Sequence, residues 1–411
     1  MRYDVAMQED NYRWRVVGML WGIAFFNYAD RQAMASVYPL LEKEFHLGTV
    51  GLGMLGSSFA FAYGLCSPFA GAIVDRVRRV SAVLWGLYIW SLICVSTGVA
   101  RTFGQLLAFR AAEGLGETLY FPASMSLISA WHTGGTRSRA MGLHQTSVYI
   151  GTIAGGALAG LIAQYYGWRW SFVVFGGAGI LLGAVLHRFL REPAGVKVET
   201  PPRPPLRQAL ELLTIPAVRY LMGAFFCANF VALVLLTWMP KFLSDKFHMN
   251  LAMAGLTATA FAQLASMVGS PTGGWLADTL RARRPGGRMI VQAIGVFAGA
   301  PFVVLCGMTE SVGILMAALA CWGFFKGMYD ANIFASVYDV IPPESRGSAA
   351  GMMNTIGWLG GGALAPVTIG VLAKSFGLSA SIAMTGGVYL VAGGLLITAT
   401  WSTRGESVQS R

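Results

Sequence analysis

Arg110, Glu113 and Glu117 stand at i, i+3 and i+7, a spacing that puts three charged side chains on one face of an α-helix. Asn27, Asp30 and Arg31 form a second stripe, and Lys326 and Asp330, four apart, a third. All lie inside long apolar segments, where each charged residue costs roughly 2.5–3.5 kcal/mol at the centre of a bilayer. Such groups must pair, face an aqueous cavity, or both. Two chemistries fit. Arginines can neutralise an anionic ligand, and a carboxylate in a low-dielectric site takes up a proton when no cation holds it ionised. The charges of Asp30, Arg31, Arg110 and Glu117 sum to zero, leaving Glu113 over, so a ligand anion occupying an arginine would raise a carboxylate's demand for a proton. The alternative is that the charges only tie helices together, Glu113 pairing with Arg110. For Lys326 and Asp330 the plain reading is an intrahelical salt bridge. If they reach a cavity instead, a second cation would favour a dianionic or larger acid.

The elements that must position these groups follow from composition. Of 411 residues, 55% are hydrophobic and only 12% charged, and the mean hydropathy is +0.57. Soluble domains carry about a quarter charged residues; this chain cannot make a polar surface. Cutting it at apolar runs long enough to cross a bilayer predicts spans at 14–40, 50–74, 80–100, 102–130, 137–164, 168–190, 215–243, 251–278, 286–308, 311–339, 346–374 and 378–402. The expected fold is thus an all-α membrane protein of twelve helices. The net charge of +11 raises the question of nucleic acid, but the basic residues are dispersed by topology. With the N-terminus inside, only Lys43, Arg101, Arg169, Lys241, Lys246 and Lys374 fall outside. That bias is the positive-inside rule, and it places both termini in the cytoplasm. The first apolar stretch is too long for a signal peptide and contains Asp30-Arg31. Cys66, Cys94, Cys227, Cys306 and Cys321 lack metal or disulfide spacing and read as small core residues. No Walker loop, His-Glu-x-x-His or Gly-x-Ser-x-Gly is present, so neither an enzyme nor a cofactor or metal is expected.

Residues 191–214 are polar and proline-rich, a linker that separates a first domain, 1–190, from a second, 215–411. The domains echo each other. Phe45-His46 recurs as Phe247-His248, Gly71-x-x-x-Asp75 as Gly274-x-x-x-Asp278, and Arg137-x4-Gly142 as Arg346-x4-Gly351; GGALA occurs at 155–159 and at 361–365. Two six-span halves share one membrane orientation and relate by an axis along the membrane normal, the arrangement in which one bundle rocks against the other.

GAIVDRVRRV (71–80) resembles the loop signature of the major facilitator superfamily, and RAAEGLGE (110–117) its fourth-helix motif. Within it NYADR (27–31), GETLYFPAS (116–124), GWRWSF (167–172), TWMPKFL (237–243) and GMMNTIGWLGGGALAP (351–366) resemble the anion:cation symporter branch, which includes proton-coupled carriers of sugar acids such as galactonate and hexuronates. The Spinster-like branch, which moves lysolipids and sphingolipids, shares the first-helix motif. The resemblance implies proton coupling and anion binding by Asp30, Arg31, Arg110 and Glu117, with Tyr28, Tyr63 and Asn354 in the substrate cavity. Span five has no clear equivalent of the family's sugar-contacting glutamine; His144, Gln145 and Tyr149 stand nearby. In the loop motif, Gly71, Asp75, Arg76 and Arg79 are implied to latch the cytoplasmic side in the outward-open state, with Gly274 and Asp278 a weaker copy.

The expectation is a multi-pass protein of the plasma membrane, in bacteria the inner membrane, working as a monomer on a small anionic substrate with protons. A transporter-derived sensor would need no coupling carboxylate. Tyr28, Tyr63, Gln145, Asn229, Asn332 and Asn354 are polar enough to favour a small hydrophilic substrate over a lipid. Trp21, Trp85, Trp90, Trp238 and Trp322 are expected mainly at the lipid surface or its interfaces, Trp238 having a second possible place at the cavity. His46 and His248 should end helices.

Overall fold

The computed structural model describes residues 2–74, 77–132, 136–193, 211–284, 286–342 and 345–409. Among them the first half holds α1 (Arg2–Ser36), α2 (Tyr38–Phe45), α3 (Thr49–Val74), α4 (Arg79–Thr97), α5 (Phe103–Glu117), α6 (Tyr120–Trp131), α7 (Arg137–Tyr166) and α8 (Trp168–Phe189). The second holds α9 (Pro216–Phe247), α10 (Leu251–Arg283), α11 (Gly287–Met308), α12 (Val312–Asp330), α13 (Ile333–Tyr338), α14 (Arg346–Thr355), a π-helix (Ile356–Gly362) and α15 (Ala363–Gln409). These make the twelve expected spans. Span one is α1 with α2, span four is α5 with α6, and span ten is α12 with α13. Span eleven runs through α14 and the π-helix into α15, which turns at Gly377 (φ 76°) into span twelve. Most of the 191–214 linker lies outside the described residues.

Among the described residues nine helical stretches are long and apolar enough to cross a membrane, the last covering spans eleven and twelve together. Spans one and four are not among them; both carry buried charges, and span four is broken into helices of 15 and 12 residues. Large apolar side chains face outward all round, among them Phe69, Leu92, Leu181, Val268 and Trp275, a surface that only lipid can cover.

The duplication extends to local detail. Span four breaks immediately after Glu117 and span ten immediately after Asp330, so both have a discontinuous helix with a carboxylate at its first C-terminus. His46 and His248 both take left-handed backbone angles (φ 50° and 53°) as they end α2 and α9. Three tryptophans depart from expectation. Trp90, Trp238 and Trp322 are buried in the bundles; Trp238 donates to the Pro366 carbonyl (3.2 Å) and Trp322 to the Tyr389 hydroxyl (3.1 Å). A partner for the indole N–H makes a buried tryptophan tolerable. Trp85 is exposed as expected.

The halves meet at the end that carries Phe45 and Thr49, predicted to face outward and called outer below. α7 packs on α10 and α3 on α15. A Cβ built on Gly255 would lie 2.1 Å from the Gly156 carbonyl oxygen, so these backbones touch where no side chain fits. Thr49 donates to the Gly370 carbonyl (2.7 Å), Ser57 Oγ accepts from the Val367 N–H (3.1 Å), and Gln32 Nε2 donates to the Leu236 carbonyl (3.0 Å). Lys241, almost wholly buried, bridges Glu42 of the other half and its own Asp245 (2.7 Å). The outer side is closed. Beside this seam Glu44 accepts from Arg169 (2.6 and 2.9 Å) and from Trp168 Nε1 (2.6 Å). Arg169 chiefly holds the Glu44 carboxyl below the usual carboxylate range.

Candidate functional site

Span two and span four cross closely because residue 114 is glycine: a Cβ there would meet the Phe59 carbonyl oxygen at 2.5 Å. Gly116 does the same service against Trp90 of α4. That approach seals the charged face of α5 against its neighbours, leaving Arg110, Glu113 and Glu117 buried. Arg31 Nε donates to Glu117 Oε2, and Arg110 Nη1 donates to Glu113 Oε2. Arg110 Nη2 also reaches the Arg31 carbonyl at 3.5 Å. Arg110 takes Glu113, the pairing its i, i+3 spacing offered, and the arginine for Glu117 comes from span one. Asp30, 3% exposed, has no ion pair among the described residues. The cluster therefore holds three carboxyls and two guanidiniums. Arg31 Nη1, Asp30 Oδ1, Glu113 Oε1 and Glu117 Oε1 are buried with no hydrogen-bond partner. Asp30, Cys94 and Glu113 each bring a donor atom within 4.8 Å of the others, so by distance they could hold a metal. The Arg110 contact already engages Glu113, however, and the Cys94 thiol donates to the Phe172 carbonyl (3.4 Å).

Arg31 is boxed by aromatic rings. Its Cζ lies 4.7 Å from the Tyr28 centroid, 5.0 Å from Phe59, 4.9 Å from Tyr63 and 5.2 Å from Trp358. Tyr28 and Tyr63 thus stand beside the arginine with which the sequence grouped them, while Phe59 and Trp358 were not anticipated. Lys326 and Asp330 form the intrahelical pair, and Lys326 also lies in electrostatic range of Tyr28 and Tyr149 from the other half. The pair is therefore both a salt bridge and a neighbour of the Arg31 box. Asn354 and Tyr149 are half-buried and Gln145 is exposed. His144 is spent on the Tyr120 hydroxyl (2.9 Å). Asn332 is fully buried, donating to the Met328 carbonyl (3.0 Å), and so belongs to the bundle interior.

A sequence profile described as Major Facilitator Superfamily matches residues 20–364 and 287–411. The chain belongs to the major facilitator superfamily. It is 24% identical over 404 residues to the hexuronate transporter of Bacillus subtilis (strain 168), covering 94% of this chain and 92% of that one. It is 28% identical over 368 residues to the probable anion transporter 4, chloroplastic, of Oryza sativa subsp. japonica, covering 85% of this chain and 62% of that protein. A solved bacterial homologue of the human lysosomal transporter Spinster, in an inward-facing and unoccupied conformation, matches with a TM-score of 0.82 at 22% identity, over 95% of this chain and 97% of that one. That likeness is one of fold.

The superfamily's loop motif is only partly visible. Asp75 and Arg76 lie outside the described residues; Gly71 is in the last turn of α3, and Arg79 begins α4. In the second copy, where Gly274 lies on α10, Asp278 accepts from Arg288 (2.6 Å) at the start of α11. Arg288 also meets Asp339 (3.2 Å), which in turn accepts from Arg281 (2.9 Å). Arg288 and Asp339 were missed because their link joins three helices separated by loops, with no local spacing to reveal it. Lys241 and Glu42 were missed likewise, 199 residues apart.

Proposed function

We propose that this transporter moves a small organic anion, a sugar acid or related carboxylate, together with protons, by alternating access in a bacterial inner membrane with both termini in the cytoplasm. Residues 1–190 and 215–411 are the two rocking units, joined by the 191–214 linker. The observation that carries the reading is Arg31: a guanidinium at the interface of the halves, with Nη1 buried and unpartnered and Nε on a carboxylate that a substrate anion would replace. Arg110, engaged by Glu113, supports the field around it, and Asp30 and Glu117 take up the proton. The hexuronate transporter among the relatives is consistent with this class of substrate.

The test is a thermal-shift screen of the purified protein against hexuronates, aldonates, dicarboxylates and lysolipids. A ligand at a hundred times its Kd stabilises the folded state by about 2.7 kcal/mol. A sugar acid is expected to raise Tm in the wild type, and Arg31→Ala and Arg110→Ala should remain folded yet lose the shift. Stabilisation by lysolipid alone, or by sugar acid equally in both variants, would overturn the reading.

A further inference from the structure

The stretch Ile356–Gly362, IGWLGGG, is a π-helix inside span eleven. Such insertions recur at functional sites because they re-aim one side chain within an otherwise regular helix. Its glycines let it press on both neighbours. A Cβ on Gly361 would meet Asn229 Cβ at 2.7 Å, and across the interface a Cβ on Gly64 would meet the Leu359 backbone nitrogen at 2.7 Å. Spans two and eleven therefore touch backbone to backbone beside the residue the π-helix carries, Trp358.

Of the four rings around Arg31, Tyr28, Phe59 and Tyr63 belong to the same half as the arginine; Trp358 alone comes from the other. Its ring lies 5.2 Å from the guanidinium and 4.7 Å from the Tyr63 ring, tilted at 49°. We propose that Trp358 is a positioning residue of the anion site, a clamp from the C-terminal half that holds Arg31 only while the outer side is closed. This rests on the reading of Arg31 as the anion ligand, and it adds how that ligand is tied to conformation. When the halves rock, the three rings travel with Arg31 and Trp358 does not. The cation–π contact is then lost, and the guanidinium meets an incoming anion with one wall of its box open. In the closed state the same ring fixes the guanidinium plane against Tyr63 and shields its charge from water. A partly desolvated cation–π contact changes such an equilibrium by a factor on the order of ten.

The experiment needs no substrate. Full-length protein lacking its five native cysteines is spin-labelled at Arg139→Cys and Arg283→Cys, exposed positions on different halves at the inner end, and its distance distribution is read by pulsed electron resonance in nanodiscs. Trp358→Leu is expected to move the population away from the outer-closed state by about tenfold, and Trp358→Phe to restore most of it. Arg31→Gln should shift the wild type but add nothing in the Trp358→Leu background, since both changes remove one contact. If Trp358→Leu does not fold, the cycle is run with Trp358→Met, which also removes the aromatic face. Additive shifts, or no shift from either tryptophan variant, would overturn the clamp and reduce Trp358 to packing. Absence of any anion ligand in the thermal screen would sink the functional proposal and leave this cycle unaffected.

Discussion

Glu117→Gln separates a proton switch from a structural ion pair. With all five groups ionised, Asp30, Glu113, Glu117, Arg31 and Arg110 sum to minus one, and a single proton makes the empty cluster neutral. Asp30, which touches no cation among the described residues, is where that proton sits in this reading. A monoanion pairing with Arg31 then releases Glu117, 0% exposed, as an uncompensated buried charge. Breaking a buried pair in this way costs about 3–5 kcal/mol, more than a hundredfold in equilibrium, so a second proton must accompany the anion. Linkage then fixes the sign. The bound state holds one more proton than the empty state, so affinity falls as pH rises, by about tenfold per unit once Glu117 must be protonated to bind. In Glu117→Gln the released partner is already neutral. Its affinity should be independent of pH and equal to the wild-type value at acid pH.

Calorimetry with a hexuronate at pH 6, 7 and 8 reads the slope, and buffers of different ionisation enthalpy count the protons. In proteoliposomes the variant should exchange substrate at equal pH yet fail to accumulate it on a proton gradient. A tenfold-per-unit slope in Glu117→Gln would refute the reasoning and place the mobile proton on Asp30. Loss of all binding would make the Arg31–Glu117 pair structural.

Two further outcomes concern the outer end. Because Arg169 depresses the Glu44 carboxyl in the folded state, that contact stabilises the protein above the unfolded carboxylate value of about 4.3 and is lost as pH falls through the lower folded value. Thermal melts should therefore drop between pH 6 and pH 3 by more in the wild type than in Glu44→Gln, with equal drops counting against it. Gly255→Val should prevent closure, since its Cβ would overlap the Gly156 carbonyl. The variant should not exchange substrate, and Ser36→Cys, buried at this seam, should react with an impermeant maleimide faster when Gly255→Val is present.

What the sequence made legible was whatever depends on run length and periodicity. The twelve spans follow from apolar length, and the duplication from motifs that recur in order, down to a histidine ending a helix at 46 and again at 248. The three charged stripes were visible because residues three, four and seven apart lie on one helix face. What could not be read was rotation of one helix against another. Arg110 pairs along its own helix with Glu113, but Glu117 takes its arginine from span one, 86 residues away, which no spacing along α5 reveals. Buried Trp238 and Trp322 escaped for the same reason: their indole partners, Pro366 and Tyr389, lie 128 and 67 residues away.

The unequal division of charge between the halves bears on mechanism. The first half keeps three carboxyls and two arginines in its interior, whereas beside that cluster the second offers Lys326, already paired within its own helix, while Lys241 is held at the outer end by Glu42 and Asp245. In the proposed mechanism the groups that would couple proton to anion thus lie in one bundle, and rocking alone would leave them undisturbed. Something from the second bundle must alter that cluster as the halves move. The contacts it makes there are the Trp358 ring over Arg31 and the field of Lys326 at Tyr28. Lys326 holds Asp330 as an ion pair, which cancels most of its field at a distance. An aromatic face acts only in contact, so in the proposed mechanism its effect on Arg31 would switch with the distance between the halves, and the proton on Glu117 would follow Arg31.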